Sequence, residues 1–197
     1  MRKAPRQARS RAMVDAIVEA AARILGQQGW AGFTTNRVAE AAGVSIGSYY
    51  QYFPDKHSLT DAILHRHLDD CLAVVRRATR SALPPAALAA ELVDGMIAVH
   101  SITPGLHRVL LDDAPDIRSA RDPHSAFEVE FLGHYAAAVA ACRGRAPTEA
   151  DRIDGMLISD AIDGAVHNAA RRGMLAAPAM RLGLIEMITR HLERRPD

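Results

Sequence analysis

Apolar residues return at helical intervals from the start of the chain. Val14, Ile17, Val18, Ala21, Ile24 and Leu25 share one stripe, with Arg11, Asp15, Glu19 and Arg23 on other faces, and Gly26 and Gly29 are expected to close that helix. Thr34 offers a capping hydroxyl for a second, short helix, with Phe33 and Val38 in the positions of a hydrophobic staple and Ala42-Gly43 as its stop. The same grammar repeats: Ser45 caps a third helix, Val44 and Tyr49 form its staple, and Pro54 halts it after Tyr52. Asp55 opens a fourth, whose stripe of Leu64, Leu68, Cys71, Leu72 and Val75 carries it to about Leu83. Beyond Pro84-Pro85 the helical segments are punctuated by Pro104-Gly105, Pro115, Pro123, Gly144 to Pro147, Gly173 and Pro178, and nowhere do β-branched residues alternate as strands would. The chain is therefore expected to be all-α with about nine helices. A three-helix head over residues 1–55 would be followed by a helical body over 56–197, the fourth helix being the link.

Charge divides at the same place. The total of 24 Lys+Arg against 23 Asp+Glu excludes a globally basic nucleic-acid binder. Met1 to Arg80 nevertheless carries 12 basic against 7 acidic residues, and Ser81 to Asp197 carries 12 against 16. Of the basic arm, Arg2, Lys3, Arg6, Arg9 and Arg11, the last two adjoin the first helix and are the better candidates for phosphate or minor-groove contact. No uncharged apolar run reaches the roughly 18 residues of a membrane span, and the basic N-terminus lacks a signal-peptide core, so a cytoplasmic chain without membrane partners is expected. Cys71 and Cys142 are far apart and read as small buried hydrophobes.

The second and third helices, joined by Ala42-Gly43-Val44-Ser45, have the dimensions of a helix-turn-helix. Its second helix holds three of the four tyrosines, Tyr49, Tyr50 and Tyr52, beside Ser45, Ser48 and Gln51. Hydroxyls donate to phosphates, Gln can pair with an adenine edge, and Gly47 lets the backbone approach the groove floor.

From Gly29 to Leu59 the chain reads Gly-Trp-Ala-Gly-Phe-Thr-Thr-Asn-Arg-Val-Ala-Glu-Ala-Ala-Gly-Val-Ser-Ile-Gly-Ser-Tyr-Tyr-Gln-Tyr-Phe-Pro-Asp-Lys-His-Ser-Leu. This stretch resembles the TetR family of one-component transcriptional regulators. The resemblance implies that Thr35 and Asn36 lie against DNA, that Ile46, Gly47 and Ser48 face the groove, and that Tyr50, Tyr52 and Lys56 hold the phosphate backbone. Gln51 falls at a variable, often base-adjacent position. Tyr49 stands where the family usually has Leu, which suits either a larger core plug or an extra groove contact, and His57 replaces the usual Glu.

The resemblance further implies a homodimeric repressor that binds a palindromic double-stranded operator and is released by a small-molecule effector. The last two helices would pair with those of a second copy, and Ile158, Ile162, Val166, Leu184 and Ile188 are the residues expected at that interface. The apolar residues from Ile153 to Ala169 cover more than one helical face, as such double packing requires. Met96, His100, His107, Phe127, Phe131, Tyr135 and Met156 are the candidates for lining an effector pocket. Neither a cofactor nor a metal is expected, since the nine histidines form no H-x-x-x-H pair and no Cys/His cluster.

Two rival functions stay in view. One is an all-helical ligand- or partner-binding protein without operator binding. The other is a serine hydrolase, because Gly43-Val44-Ser45-Ile46-Gly47 fits G-x-S-x-G with Ser45 as nucleophile. That elbow needs a strand leading into it, and a helix is expected there.

Overall fold

The computed structural model describes residues 8–80, 82–103, 105–106, 109–110 and 125–194. Among them eight helices are delimited: α1 (Ala8–Gly32), α2 (Thr35–Ala41), α3 (Ile46–Tyr52), α4 (Lys56–Ala78), α5 (Pro85–Ile102), α6 (Ala126–Cys142), α7 (Glu149–Arg171) and α8 (Pro178–Glu193). Arg2, Lys3, Arg6 and His107 lie outside the described residues.

Two units follow from the packing. The head comprises the described residues to Leu68 together with those between Thr103 and Leu110. The body comprises those from Asp69 to Ile102 and from 125 onward.

In the head, α1 buries Ile17, Val18, Ala20, Ala21, Ile24 and Leu25, the expected stripe. It runs through Gly26 rather than stopping there, because one glycine inside a well-packed helix costs only about 1 kcal/mol. The break falls at Gly29, whose φ of 66° is left-handed. Thr34 caps α2, its hydroxyl accepting from the Arg37 amide, and Ser45 caps α3, accepting from the Ser48 amide at 3.0 Å. Between them Gly43 takes φ 67°, and the Val44 amide returns to the Ala39 carbonyl at 3.0 Å. A left-handed residue with that long return bond ends a helix in one step. It explains how two helices of 7 residues fit so tightly together.

α4 begins as expected, with Asp55 accepting from the Ser58 amide at 2.7 Å. It ends at Ala78, short of Leu83, where Thr79 and Arg80 fold into a turn before the two prolines.

The body is built around α5. By length and composition alone this helix could cross a membrane. It contains Glu91 and Asp94, however, which pair with Arg77 of α4 and Arg181 of α8. Its apolar face, Leu88, Ala89, Leu92, Val93 and Met96, joins a core with Leu72 and Val75 of α4, Tyr135 and Val139 of α6, Ile158, Ile162 and Val166 of α7, and Leu184 and Ile188 of α8. The α6–α7 pair is tight: a Cβ on Gly155 would lie 2.8 Å from the Ala136 amide nitrogen, so only glycine allows these backbones to come so close.

This packing corrects two expectations. Ile158, Ile162, Val166, Leu184 and Ile188 are all at most 6% exposed within one chain, so they fill the protomer's own core. The residues left outside on α7 are Ile153, Met156 and Leu157, and on α8 Leu182 and Met187. Met156, expected in an effector pocket, therefore sits on the outer stripe at 41% exposure. A 3.6-residue period marks apolar faces but not which of two faces points inward.

Candidate nucleic-acid interface

Three buried aromatic residues anchor α3. Tyr49 and Phe53 are fully buried with ring centroids 6.0 Å apart, and Tyr52 is 7% exposed. Burial, with smaller contributions from Tyr50 and Asp55, pushes the Tyr49 hydroxyl up to about 12. Of the two readings the sequence left open for Tyr49, the structure selects the core plug. The Tyr52 ring also packs in the core of the head, which gives a helix of this length the buried face that holds it in place.

The opposite face of α3 is solvent-exposed. Ile46 and Tyr50 are each 41% exposed, unusual for large apolar or aromatic side chains in so small a unit, and Gln51 is exposed beside them. Gly47 leaves open space, its nearest neighbour being Ser45 Oγ at 3.8 Å from where a Cβ would stand. Ser45 and Ser48 are engaged with each other, their hydroxyls 2.9 Å apart. Across the turn, Thr35 Oγ1 lies 3.3 Å from the Tyr50 hydroxyl, which ties the start of α2 to the outer face of α3. Asn36 is exposed next to Thr35. The structure thus brings Thr35, Ile46, Gly47, Ser48, Tyr50 and Gln51 into one neighbourhood. Arg9 and Arg11 are exposed at the start of α1.

Lys56 has a partner within the head. Its Nζ donates to the Trp30 carbonyl at 2.9 Å and lies 3.9 Å above the Trp30 ring, and desolvation lowers its pKa. One donor of the ammonium thus satisfies the Trp30 carbonyl in the last turn of α1, with the indole face beside it. Trp30 is 26 residues from Lys56, so no local pattern could reveal the contact. The one available signal was the single tryptophan next to the helix-breaking Gly29.

Ser45 is preceded by α2 and a turn, and its hydroxyl holds the first amides of α3. That is helix capping and not the strand-fed geometry of a nucleophile elbow. Cys71 is buried, and desolvation, with Asp70 and Asp163, pushes its thiol up to about 12, the behaviour of a packing residue.

Among the described residues every delimited element is a helix, and a head that presents a short, aromatic-anchored helix after a tight turn has the geometry of a helix-turn-helix. Residues 17–63 match the model of bacterial regulatory proteins of the tetR family, and residues 84–192 match that of the tetracyclin repressor-like C-terminal domain. The chain belongs to the TetR family of DNA-binding transcriptional regulators.

Two curated relatives match part of it. The HTH-type transcriptional repressor KstR2 of Rhodococcus jostii is 34% identical over 77 residues, 39% of this chain and 38% of that protein. The nucleoid occlusion factor SlmA of Haemophilus ducreyi is 30% identical over 88 residues, 45% and 44% of the two chains. The matches thus span less than half the length of either relative. Among solved structures, a TetR-family regulator from Rhodococcus sp. shares the fold with a TM-score of 0.70, 21% identity, and coverage of 93% of this chain and 100% of that one.

Proposed function

We propose that the chain is a homodimeric cytoplasmic repressor that reads a palindromic operator and leaves it when a small effector binds the body. The observation that carries the DNA-reading role is the division of α3, with Tyr49 and Tyr52 locked inside while Ile46, Gly47, Tyr50 and Gln51 face outward. An exposed isoleucine at the start of a groove-entering helix suits contact with a thymine methyl. Asn36, Thr35 and Tyr50 would position the helix on phosphates, with Arg9 and Arg11 adding charge.

The test is fluorescence anisotropy with DNA from upstream of the protein's own gene. Ile46→Ala is expected to weaken operator binding by about 1 kcal/mol, roughly fivefold, the low end of a lost base contact. Binding to unrelated DNA and its salt slope should stay unchanged. Equal losses on both DNAs would place Ile46 on the backbone. No binding to any upstream fragment would leave a ligand-binding protein without an operator.

Dimerisation is proposed through the outer stripe of α7 and α8. Ile153, Met156 and Leu157 follow one another at helical spacing, Leu182 and Met187 continue the apolar surface, and each is at least 41% exposed. A double variant, Leu157→Glu with Leu182→Glu, is expected to convert a sedimenting dimer at micromolar concentration into a monomer of unchanged helicity. A parent protein that already sediments as a monomer removes the proposal.

For the effector, the half-buried Phe127 and Phe131 rings, stacked with centroids 5.3 Å apart, and Tyr135 beyond them are the face proposed to meet a small apolar or amphipathic molecule. Met96 lies in the same core. Such a ligand relieves repression by preferring the body conformation in which the two recognition helices are wrongly spaced.

A further inference from the structure

Lys56 opens α4 just after α3 ends at Tyr52, and Trp30 lies in the last turn of α1 just before the Thr34 cap of α2. The two meet at the corner where α1 leads into α2 and α3 leads into α4. Neighbouring rings set the indole there: its centroid is 5.9 Å from that of the buried Phe33 and 5.8 Å from that of His57. The Lys56 ammonium stands 3.9 Å above the Trp30 centroid and 5.3 Å from that of Phe33, and it donates to the Trp30 carbonyl at 2.9 Å.

An ammonium has three donors, and a single carbonyl uses one of them. The ring face attracts the charge without neutralising it. Among the described residues no carboxylate pairs with Lys56. Asp55, its neighbour in sequence, turns its carboxylate to the Ser58 amide at 2.7 Å. Desolvation lowers the Lys56 pKa, with no counter-charge to offset it. Arg37, the other cation at this corner, also meets neutral acceptors, the Gly32 carbonyl at 3.2 Å and Gln28 Oε1 at 3.0 Å. A cation that is held in place, partly desolvated and without a counter-ion in the head calls for an anion from outside. Beside a groove-entering helix, that anion is a DNA phosphate.

We propose that Trp30 is a positioning residue for DNA binding: its carbonyl and its indole face hold the Lys56 ammonium so that a remaining N–H donates to a backbone phosphate.

This rests on the DNA-reading role proposed above and adds the group that orders one of its phosphate contacts. A free lysine gives up rotamer freedom when it meets a phosphate. Lys56 has given up much of its own on folding, so less is lost on binding. The contact meets the backbone and not a base edge, so it strengthens binding to every duplex alike.

The experiment is a double-mutant cycle on the full-length protein, read by fluorescence anisotropy with labelled upstream DNA and a labelled duplex of unrelated sequence over a range of salt. Lys56→Gln is expected to weaken binding to both and to lower the slope of log affinity against log salt by about one for each head bound. Trp30→Leu removes the ring and keeps the carbonyl. It should weaken both by about two- to fivefold per head, the effect of one cation–π contact, and Trp30→Phe should recover part of that loss. In the Lys56→Gln background Trp30→Leu should cost nothing further, whereas a ring that only supports the fold costs the same in both backgrounds.

Trp30 is the single tryptophan of the chain, so its emission gives a second reading that needs no Trp30 variant and decides the matter if Trp30→Leu fails to fold. Saturating DNA should change that emission in the parent and leave it unchanged in Lys56→Gln. Additive losses, an unchanged salt slope in Lys56→Gln, or the same emission response in both proteins overturns the role of Trp30 while leaving DNA reading intact. A parent that binds neither duplex removes the DNA-reading role and this contact with it.

Discussion

Asp151→Ala is expected to destabilise the body by about 3–5 kcal/mol, the cost of removing one partner from a buried ion pair. Calorimetry should show the corresponding transition fall by on the order of 10 °C. Asp151 is fully buried. It accepts from Arg143 at 2.7 Å, from Arg145, and from the Thr148 amide and hydroxyl at 2.8 and 2.7 Å. Arg143 is only 11% exposed and its Nε has no partner among the described residues, so it has little solvent to turn to once the carboxylate is gone. It also holds Asp154 at 2.6 Å, and Asp154 meets His191 of α8 at 2.9 Å. The carboxylate therefore joins the α6–α7 loop to the final helix.

Burial alone would raise the Asp151 pKa. The hydrogen bonds from Thr148, Arg145 and Arg143 outweigh it and hold the carboxyl well below the usual range. Because the folded pKa is depressed, this stabilisation is complete above the ordinary carboxylate range and is lost as pH falls toward the folded value. Asp151→Asn, which keeps the shape but not the charge, should lie between parent and alanine variant. A loss below about 1 kcal/mol for the alanine variant would show a network no stronger than an exposed pair.

In the head the largest expected effect is at Tyr49. Tyr49→Ala should cost about 3–5 kcal/mol, as large aromatic-to-alanine changes in a core do, and should abolish operator binding, since the helix carrying Ile46 and Gln51 loses its main anchor. Tyr49→Phe should behave oppositely. The ring is fully buried and its hydroxyl has no hydrogen-bond partner among the described residues. An unsatisfied buried polar group costs about 1–3 kcal/mol, so phenylalanine is expected to raise stability in urea unfolding by about 1 kcal/mol or more. Operator affinity should change little, because the hydroxyl is buried and out of reach of DNA. A destabilised Tyr49→Phe would mean that the hydroxyl has found a partner, such as a buried water.

The elements of the head were legible because their signals are local. Thr34 and Ser45 cap amides three residues away, and Gly43 supplies a left-handed turn between them. The Thr148-x-x-Asp151 capping box comes from the structure, and its spacing does not announce that Arg143 and Arg145 converge on it. Ser45 was ambiguous as a motif and became unambiguous once a helix, and not a strand, preceded it.

Other features depended on partners far along the chain. Lys56 looked like a phosphate ligand by position, and Tyr52 by its hydroxyl. The structure adds that Trp30 also binds the first and that the core takes the ring of the second. On α7 the sequence showed apolar residues on two faces and could not say which was inner, so the proposed interface residues proved to be core while Ile153 and Leu157 remained outside.

By itself, then, the sequence determined the helices, their caps, the turn between α2 and α3 and the family, because each rests on periodicity or on hydrogen bonds between near neighbours. Only the tertiary structure decided which faces are buried, where Lys56 is held, and that His100 meets His167 across 67 residues. Burial and ionisation depend on which groups the folded chain brings within a few ångströms, and sequence separation carries almost none of that information.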